Sequence, residues 1–351
     1  MCSELFRIPY DWGGVPIFGF GVLLAVWALA GVGGFAIAVR RQGWNAETLS
    51  LLPLLLLTGA AIVALPRIFP DGLPVRGYGM MVLAGAATGV WMATYRAQRA
   101  GIDREIIWSM AFWLFIGGMV GGRAFYVIEY WDARFHADSL RETLLRVINF
   151  PEGGLVVYGA LFGGVAAVLL FIRKHKLPAL ATFDLIAPSM AIGLALGRIG
   201  CFLNGCCYGG ATNLPWGVSF PPGSPPYIDQ IASSALSSAN PPPHSLPVHP
   251  TQLYSAITAA LIGWVLWSYY PFRRRDGQVI ALMLMIYPIS RFMEEIIRTD
   301  EPAVFGTGLS ISQNISLAVF VAGIGVWFYL AKQPPHLAWP ENSAWPEKIS
   351  S

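Results

Sequence analysis

The sequence predicts an all-α, polytopic integral membrane protein of about nine transmembrane helices, and three observations predict it. Of its 351 residues 55% are hydrophobic and only 12% charged, about half the charge of an ordinary soluble domain. Nine apolar runs are long enough to cross a bilayer, which takes roughly 20 residues with allowance for tilt. The basic residues also sort between alternate loops, as membrane insertion requires. A soluble enzyme is excluded, and no nucleic acid is expected as a partner.

Residues 1–15 are a polar and aromatic lead-in. The apolar runs lie at about 16–39, 49–66, 78–95, 105–128, 153–172, 182–203, 251–270, 277–296 and 310–331. The second is short and carries Pro53. The first is a full span with no small-residue cleavage site after it, so no cleavable signal peptide is expected. One set of loops holds Arg40, Arg41, Arg96, Arg99, Arg104, Arg173, Lys174, Lys176 and Arg273 to Arg275, and the tail adds Lys332 and Lys348. The opposite set holds Arg7, Arg67, Arg76, Arg134, Arg141, Arg146 and Arg298. The positive-inside rule then puts the N-terminus and the 204–250 loop outside and the tail inside. In a bacterial cell this means a multi-pass inner-membrane protein with a periplasmic N-terminus and a cytoplasmic C-terminus.

The start of the chain contains an internal repeat. Its first copy is Pro16-Ile17-Phe18-Gly19-Phe20-Gly21, a span, Arg40-Arg41-Gln42-Gly43 and another span. Its second copy, 58 residues later, is Pro74-Val75-Arg76-Gly77-Tyr78-Gly79, a span, Arg99-Ala100-Gly101 and another span. Polar groups persist only in the second copy, so chemistry is expected there and a structural role in the first. The expected organisation is an extra N-terminal helix pair at 1–70 resembling 74–130, a membrane domain at 71–332 and a tail at 333–351. The 204–250 loop is rich in Pro, Ser and Ala. A loop of that length is a functional lid or disordered: Ser233 to Asn240 reads as flexible insertion, while Pro215-Trp216-Gly217 and His249-Pro250-Thr251-Gln252 read as ordered ends.

Arg198 lies inside an apolar run and keeps its charge there. Placing it near hydrocarbon costs roughly 2.5–3.5 kcal/mol on insertion scales. Flanked by Gly197 and Gly200, it reads as an anion site for a lipid phosphate, or as half of a structural pair with Asp184 or Glu295. Arg291 meets Glu294 and Glu295 at helical spacing, and Glu295 meets Arg298. This is either a self-neutralising ladder or a second phosphate clamp in which Glu295 holds the Arg291 fork. Arg123 is a third intramembrane arginine, and its partner is expected from another helix because Glu129 lies off its face. The Gly117-Gly118 and Gly121-Gly122 pairs read as helix packing. Tyr78 and His249, each taken alone, read as interface residues. Cys2 is terminal, and Cys201, Cys206 and Cys207 lack the paired C-x-x-C spacing of a zinc site. Metal binding is therefore not expected, nor is any cofactor.

Taken together these motifs resemble the bacterial prolipoprotein diacylglyceryl transferases. The family signature G-R-x-G-N-F-x-N-G-E-x-x-G matches Gly197 to Gly209 in frame with two substitutions. Further matches occur in family order: Val75-Arg76-Gly77-Tyr78-Gly79, Gly121-Gly122-Arg123, Gly153-Gly154 with Gly159, Asp184 with Ala187-Pro188, Pro215-Trp216-Gly217, His249 to Tyr254, and Tyr287 with Arg291 through Glu295 and Arg298. The resemblance covers roughly residues 70–332, a family core of about seven helices preceded by the duplicated pair.

The resemblance implies transfer of the diacylglyceryl group of phosphatidylglycerol to the lipobox cysteine of a prolipoprotein signal peptide. A thioether forms and glycerol 1-phosphate leaves, the first step of lipoprotein maturation. Arg198, Arg291, Tyr158 and Glu295 are the implied catalytic residues. Arg198, Tyr78, Asn204, Gly209, His249, Tyr287 and Arg298 are the implied contacts to substrate and membrane lipid. Fixed cations favour departure of a phosphate in a low-dielectric site. The chain departs from the family where Tyr158 replaces a histidine favoured as base, Cys201 an asparagine, Cys206 a glutamate, and Ser255 a carboxylate. Tyrosine, with an ordinary pKa of about 10, is a poor base. The rival expectations are a catalytically altered relative that binds or moves anionic phospholipid, and an unrelated transporter.

Overall fold

A computed structural model describes residues 4–49, 51–135, 139–148, 154, 156–237, 240–298, 303–304 and 306–339. Cys2, Gly153 and Lys348 lie outside these described residues. The chain forms two compact units. The first comprises residues 1–80 with 203–205.

In the first unit, strand β1 (Glu4–Ile8) is followed by the β2 (Asp11–Trp12) and β3 (Val15–Pro16) hairpin. Helices α1 (Val22–Gln42), α2 (Ala46–Leu49) and α3 (Leu51–Ile68) lead to β4 (Leu73–Arg76), which pairs antiparallel with β1. Trp27 of α1 lies against Gly59 of α3, where a Cβ would come within 2.7 Å of the ring. Its indole donates to the Thr58 hydroxyl at 2.9 Å. The two repeat copies start their helices differently. Leu23 N–H donates to the Ile17 carbonyl and Gly19 takes a positive φ of 70°, so the first helix begins only at Val22. In the second copy helix α4 (Gly77–Arg99) starts at the position equivalent to Gly19.

In the second unit, the rest of α4 is followed by α5 (Arg104–Glu129), a π-helical turn (Trp131–Phe135), and α6 (Leu140–Ile148). Next come α7 (Val157–Lys174), α8 (Ala179–Asn204), α9 (Pro225–Ala232), α10 (Thr251–Tyr269) and α11 (Gln278–Ile297). The short strands β5 (Ala303–Val304) and β6 (Leu309–Ser310) pair before α12 (Ile311–Lys332). Each of the nine expected spans coincides with a helix of at least 18 residues among the described residues. Five are long and apolar enough on their own to cross a membrane, the parts Val22–Arg41, Arg104–Glu129, Ala179–Asn204, Thr251–Phe272 and Ile311–Lys332. The protein is a helical, multi-pass membrane protein.

Local chemistry explains the helix ends. Asp103 accepts the Glu105 N–H at the start of α5, and Ser310 with Gln313 forms a capping box at the start of α12. Helix α9, in the Pro-rich loop, begins with Pro225-Pro226, where the missing N–H groups are no loss. Part of the stretch expected to be flexible is folded onto it: Leu236 is buried and donates its N–H to the Gln230 carbonyl.

Glycines set the closest helix contacts. Gly117, Gly121, Gly159 and Gly163 let α5 and α7 touch backbone to backbone, and a Cβ at Gly117 would lie 2.7 Å from the Gly163 carbonyl. The core of the unit joins α4, α5, α7, α8, α10 and α11 around Ala97, Met110, Phe171, Leu185, Leu266 and Val279. Asp184, fully buried in α8, accepts the N–H groups of Gly277 and Ile280 at 2.7 and 2.8 Å. It thereby caps α11, whose preceding Gly277 has a left-handed φ of 95°. Arg273 lies 3.9 Å from the same carboxylate.

Candidate active site

Arg198 sits near the end of α8, 14 positions after Asp184. At 1.5 Å per residue the two are about 21 Å apart along the helix, so Asp184 is not its partner. Arg198 is half-buried and has no hydrogen-bond or ion-pair partner among the described residues. It lines a cavity of about 10 Å³ with Leu194 of α8, Ser255, Thr258 and Ala259 of α10, and Tyr287, Ser290 and Glu294 of α11. That is room for about one water molecule.

Glu294 does not join the ladder expected on its own helix. Its carboxylate accepts the hydroxyls of Ser255 at 2.5 Å and Thr258 at 3.0 Å, across the gap to α10. The resemblance implies a carboxylate at position 255; here Glu294 presents one to Ser255 from the neighbouring helix. Glu294 is a residue that helical spacing alone assigns to the wrong partner.

Arg291 turns toward α12. It donates to Glu295 and, at 2.8 Å, to the Ser312 hydroxyl. Glu295 is buried, and Arg298 lies 3.8 Å from it. One carboxylate therefore orients two guanidinium groups, the geometry expected of a charge-assisted clamp.

Gln252 and Thr251, in the first turn of α10, donate to the carbonyls of Cys206 and Cys207, each at 2.7 Å. Gly209 and Gly210 donate to the His249 and Ile297 carbonyls, and His249 N–H returns a bond to Gly210. A Cβ at Gly209 would come within 2.8 Å of Thr251 and 2.9 Å of His249. Only glycine fits this crossing without displacing them. The His249 Nδ1 lies 3.4 Å from the Tyr254 hydroxyl, which accepts from the Trp216 indole at 2.8 Å. The segments around Gly209, Trp216, His249 and Ile297 thus meet.

The other expected residues have surroundings of their own. Tyr158, in the first turn of α7, is 46% exposed and has no hydrogen bond among the described residues. Tyr78 and Asn204 belong to the first unit, and both are exposed. Arg123 is buried and donates to the carbonyls of Val147, Arg146 and Gly154. It ties the end of α6 to the approach of α7.

The three cysteines expected to be simple packing residues converge. Their sulfurs lie within 4.8 Å of one another, and the three residues are half-buried and not joined by a disulfide. Hydrogen bonds from Cys201 and Cys206, with the charges of Arg198 and Arg298, hold the Cys207 thiol below its ordinary range.

A family model described as prolipoprotein diacylglyceryl transferase matches residues 64–329. Relatives named phosphatidylglycerol--prolipoprotein diacylglyceryl transferase share similar lengths of sequence. The one from Rhodopirellula baltica is 30% identical over 93% of this chain and 89% of its own. That from Clostridium tetani is 34% identical over 73% and 93%, and that from Vibrio cholerae 34% over 75% and 91%. The R. baltica match takes in most of the chain, beyond the part covered by the family model. With the signature around Arg198, the Glu295 clamp and the multi-pass helical fold, these matches place the chain in the prolipoprotein diacylglyceryl transferase family.

Proposed function

We propose that the protein moves the diacylglyceryl group of phosphatidylglycerol onto the lipobox cysteine thiol of prolipoproteins. The acceptor sulfur attacks the glycerol carbon that bears the phosphate. The S–C bond forms, the C–O bond breaks, and its electron pair leaves on glycerol 1-phosphate. The observation that carries this reading is Arg198: a cation within a span, without a hydrogen bond or ion pair among the described residues, beside a cavity between three helices. Such a charge has its natural counterion in a lipid phosphate, and it offsets the charge that grows on the leaving group. Arg291 and Arg298, fixed by Glu295, add positive charge from α11. Phosphatidylglycerol, the lipobox segment and surrounding membrane lipid are the partners. The N-terminus lies in the periplasm and the C-terminus in the cytoplasm of a bacterial inner membrane, so the α8–α10 connection meets exported substrates.

The second reading is a relative that binds or moves anionic phospholipid without transfer. It is favoured by Tyr158, which stands in the place of the family histidine yet is exposed and without a hydrogen bond among the described residues. Purified protein, phosphatidylglycerol and a lipobox peptide, with a Cys→Ser peptide as control, separate the two. Diacylglyceryl mass on the cysteine peptide alone supports transfer. Lipid binding with no mass gain overturns it in favour of the second reading.

A further inference from the structure

We infer that Cys201, Cys206 and Cys207 form a three-thiolate zinc site whose fourth position receives the acceptor thiol, an inference that rests on the transferase reading above.

The geometry comes first. The three sulfurs lie within 4.8 Å of one another. A tetrahedral zinc with Zn–S bonds of about 2.3 Å holds its sulfurs roughly 3.8 Å apart. Closure by about an ångström, within the reach of side-chain rotation, brings the set onto a metal. Cys201 stands on the last turn of α8, and Cys206 and Cys207 come just after the helix end. Their backbone is fixed from outside by Thr251 and Gln252, which are 2% and 0% exposed. Cys207 is held at a left-handed φ of 60°, which few residues other than glycine adopt. All three thiols are half-buried, so a fourth ligand has access.

The charge balance also fits. Three thiolates and one Zn²⁺ carry a net charge of −1, and a fourth thiolate makes it −2. Arg198, three residues before Cys201 on α8, supplies positive charge at the same helix end. Three protein ligands with one open position is the pattern of catalytic rather than structural zinc.

The chemistry answers a need that the rest of the site leaves open. The acceptor must lose its proton before it attacks. Tyr158 is exposed and has no hydrogen bond among the described residues. Zinc binds a thiol as the thiolate and releases its proton to water, so no side-chain base is needed. The bound sulfur then attacks the glycerol carbon and the C–O electron pair departs on phosphate. The thioether produced is a neutral, weaker ligand and leaves the metal. One proton is released, and no electron is gained or lost by the metal.

The test uses the full chain in detergent. Metal content is measured first, and Co²⁺ is then exchanged for zinc. We expect about one zinc per chain and a sulfur-to-cobalt absorption band. That band grows by about a third when a lipobox cysteine peptide is added, and stays unchanged with the serine peptide. Cys201→Ser, Cys206→Ser and Cys207→Ser each lower zinc content at least tenfold. The wild-type spectrum stands whether or not these variants fold. A metal-free protein that transfers at full rate overturns the site and leaves the transferase reading intact. So does a Cys201–Cys206 disulfide without zinc. A band that responds to the cysteine peptide with no transfer upholds the site and overturns the transferase reading. A band that ignores the peptide overturns the acceptor role.

Discussion

The hydroxyl of Ser255 on α10 donates to the carboxylate of Glu294 on α11 at 2.5 Å. The family resemblance implies a carboxylate at position 255, on the first of these helices; here Glu294 presents one from the second. Glu294 stands beside the cavity lined by Arg198. Glu294→Ala is therefore expected to slow transfer roughly 10–100-fold, equivalent to the 1.5–3 kcal/mol of a hydrogen bond to a charged group. Ser255→Glu added to Glu294→Ala should recover at least a tenth of the wild-type rate. Failure of the double variant, with normal folding, contradicts the exchange.

Asp184 works at the other end of α8. Its carboxylate caps α11 and lies close to Arg273 in a fully buried setting. Removing one partner of such a group costs about 3–5 kcal/mol. Asp184→Ala should lower the unfolding temperature in detergent markedly, and reduce transfer only in proportion to the folded fraction. A normal melting curve with lost transfer would instead place Asp184 in the chemistry.

Gly209 predicts a local effect. An added methyl group would press on Thr251 and His249, the residues that position the signature loop. Overpacking of this kind typically costs about 1–3 kcal/mol. Gly209→Ala should reduce transfer and weaken protection of the Cys206 and Cys207 amides in hydrogen exchange. Unchanged protection would contradict this crossing of the two segments.

Cys207 predicts a pH dependence. Hydrogen bonds from Cys201 and Cys206, with the charges of Arg198 and Arg298, lower its pKa. A lowered pKa keeps the thiolate populated as the pH falls below the ordinary thiol value of about 8.5. In metal-free protein, iodoacetamide should label Cys207 at pH 6 at least ten times faster than a cysteine in an unfolded peptide. A labelling rate that rises only above pH 8 would contradict the assignment.

Tyr158 is expected to matter little. Its exposed hydroxyl has no hydrogen-bond partner among the described residues. Tyr158→Phe should change the transfer rate less than about threefold, an amount below 1 kcal/mol. A loss of 100-fold or more would restore it to the chemistry.

The helices are legible in the sequence because a run of about 20 apolar residues leaves the backbone no alternative to internal hydrogen bonds. The Arg291–Glu295 pair is legible for a similar reason, since helical spacing brings the fourth residue onto the same face. What spacing does not show is which way a side chain turns when several neighbours compete. Glu294 is equally placed for Arg291, yet it accepts from Ser255 and Thr258 on α10. Asp184 shares a helix with Arg198, but the free N–H groups at the start of α11 claim it. Arg123 donates to the carbonyls of Val147, Arg146 and Gly154, acceptors that carry no side-chain signature in the sequence. The cysteine cluster arises where the chain reverses after α8 under the grip of Gln252 and Thr251, contacts between positions 46 and 44 residues apart. The repeat is legible too, but the start of its first helix depends on a turn closed by the Ile17 carbonyl.

The most direct test is the rate of diacylglyceryl transfer to a lipobox peptide by Arg198→Ala beside the wild type, read by mass spectrometry at saturating phosphatidylglycerol. Loss of one preorganised charge at the leaving group predicts a fall of about 100-fold or more, with the helical content unchanged. Transfer by the variant at the wild-type rate would contradict the assignment of Arg198 to the lipid phosphate.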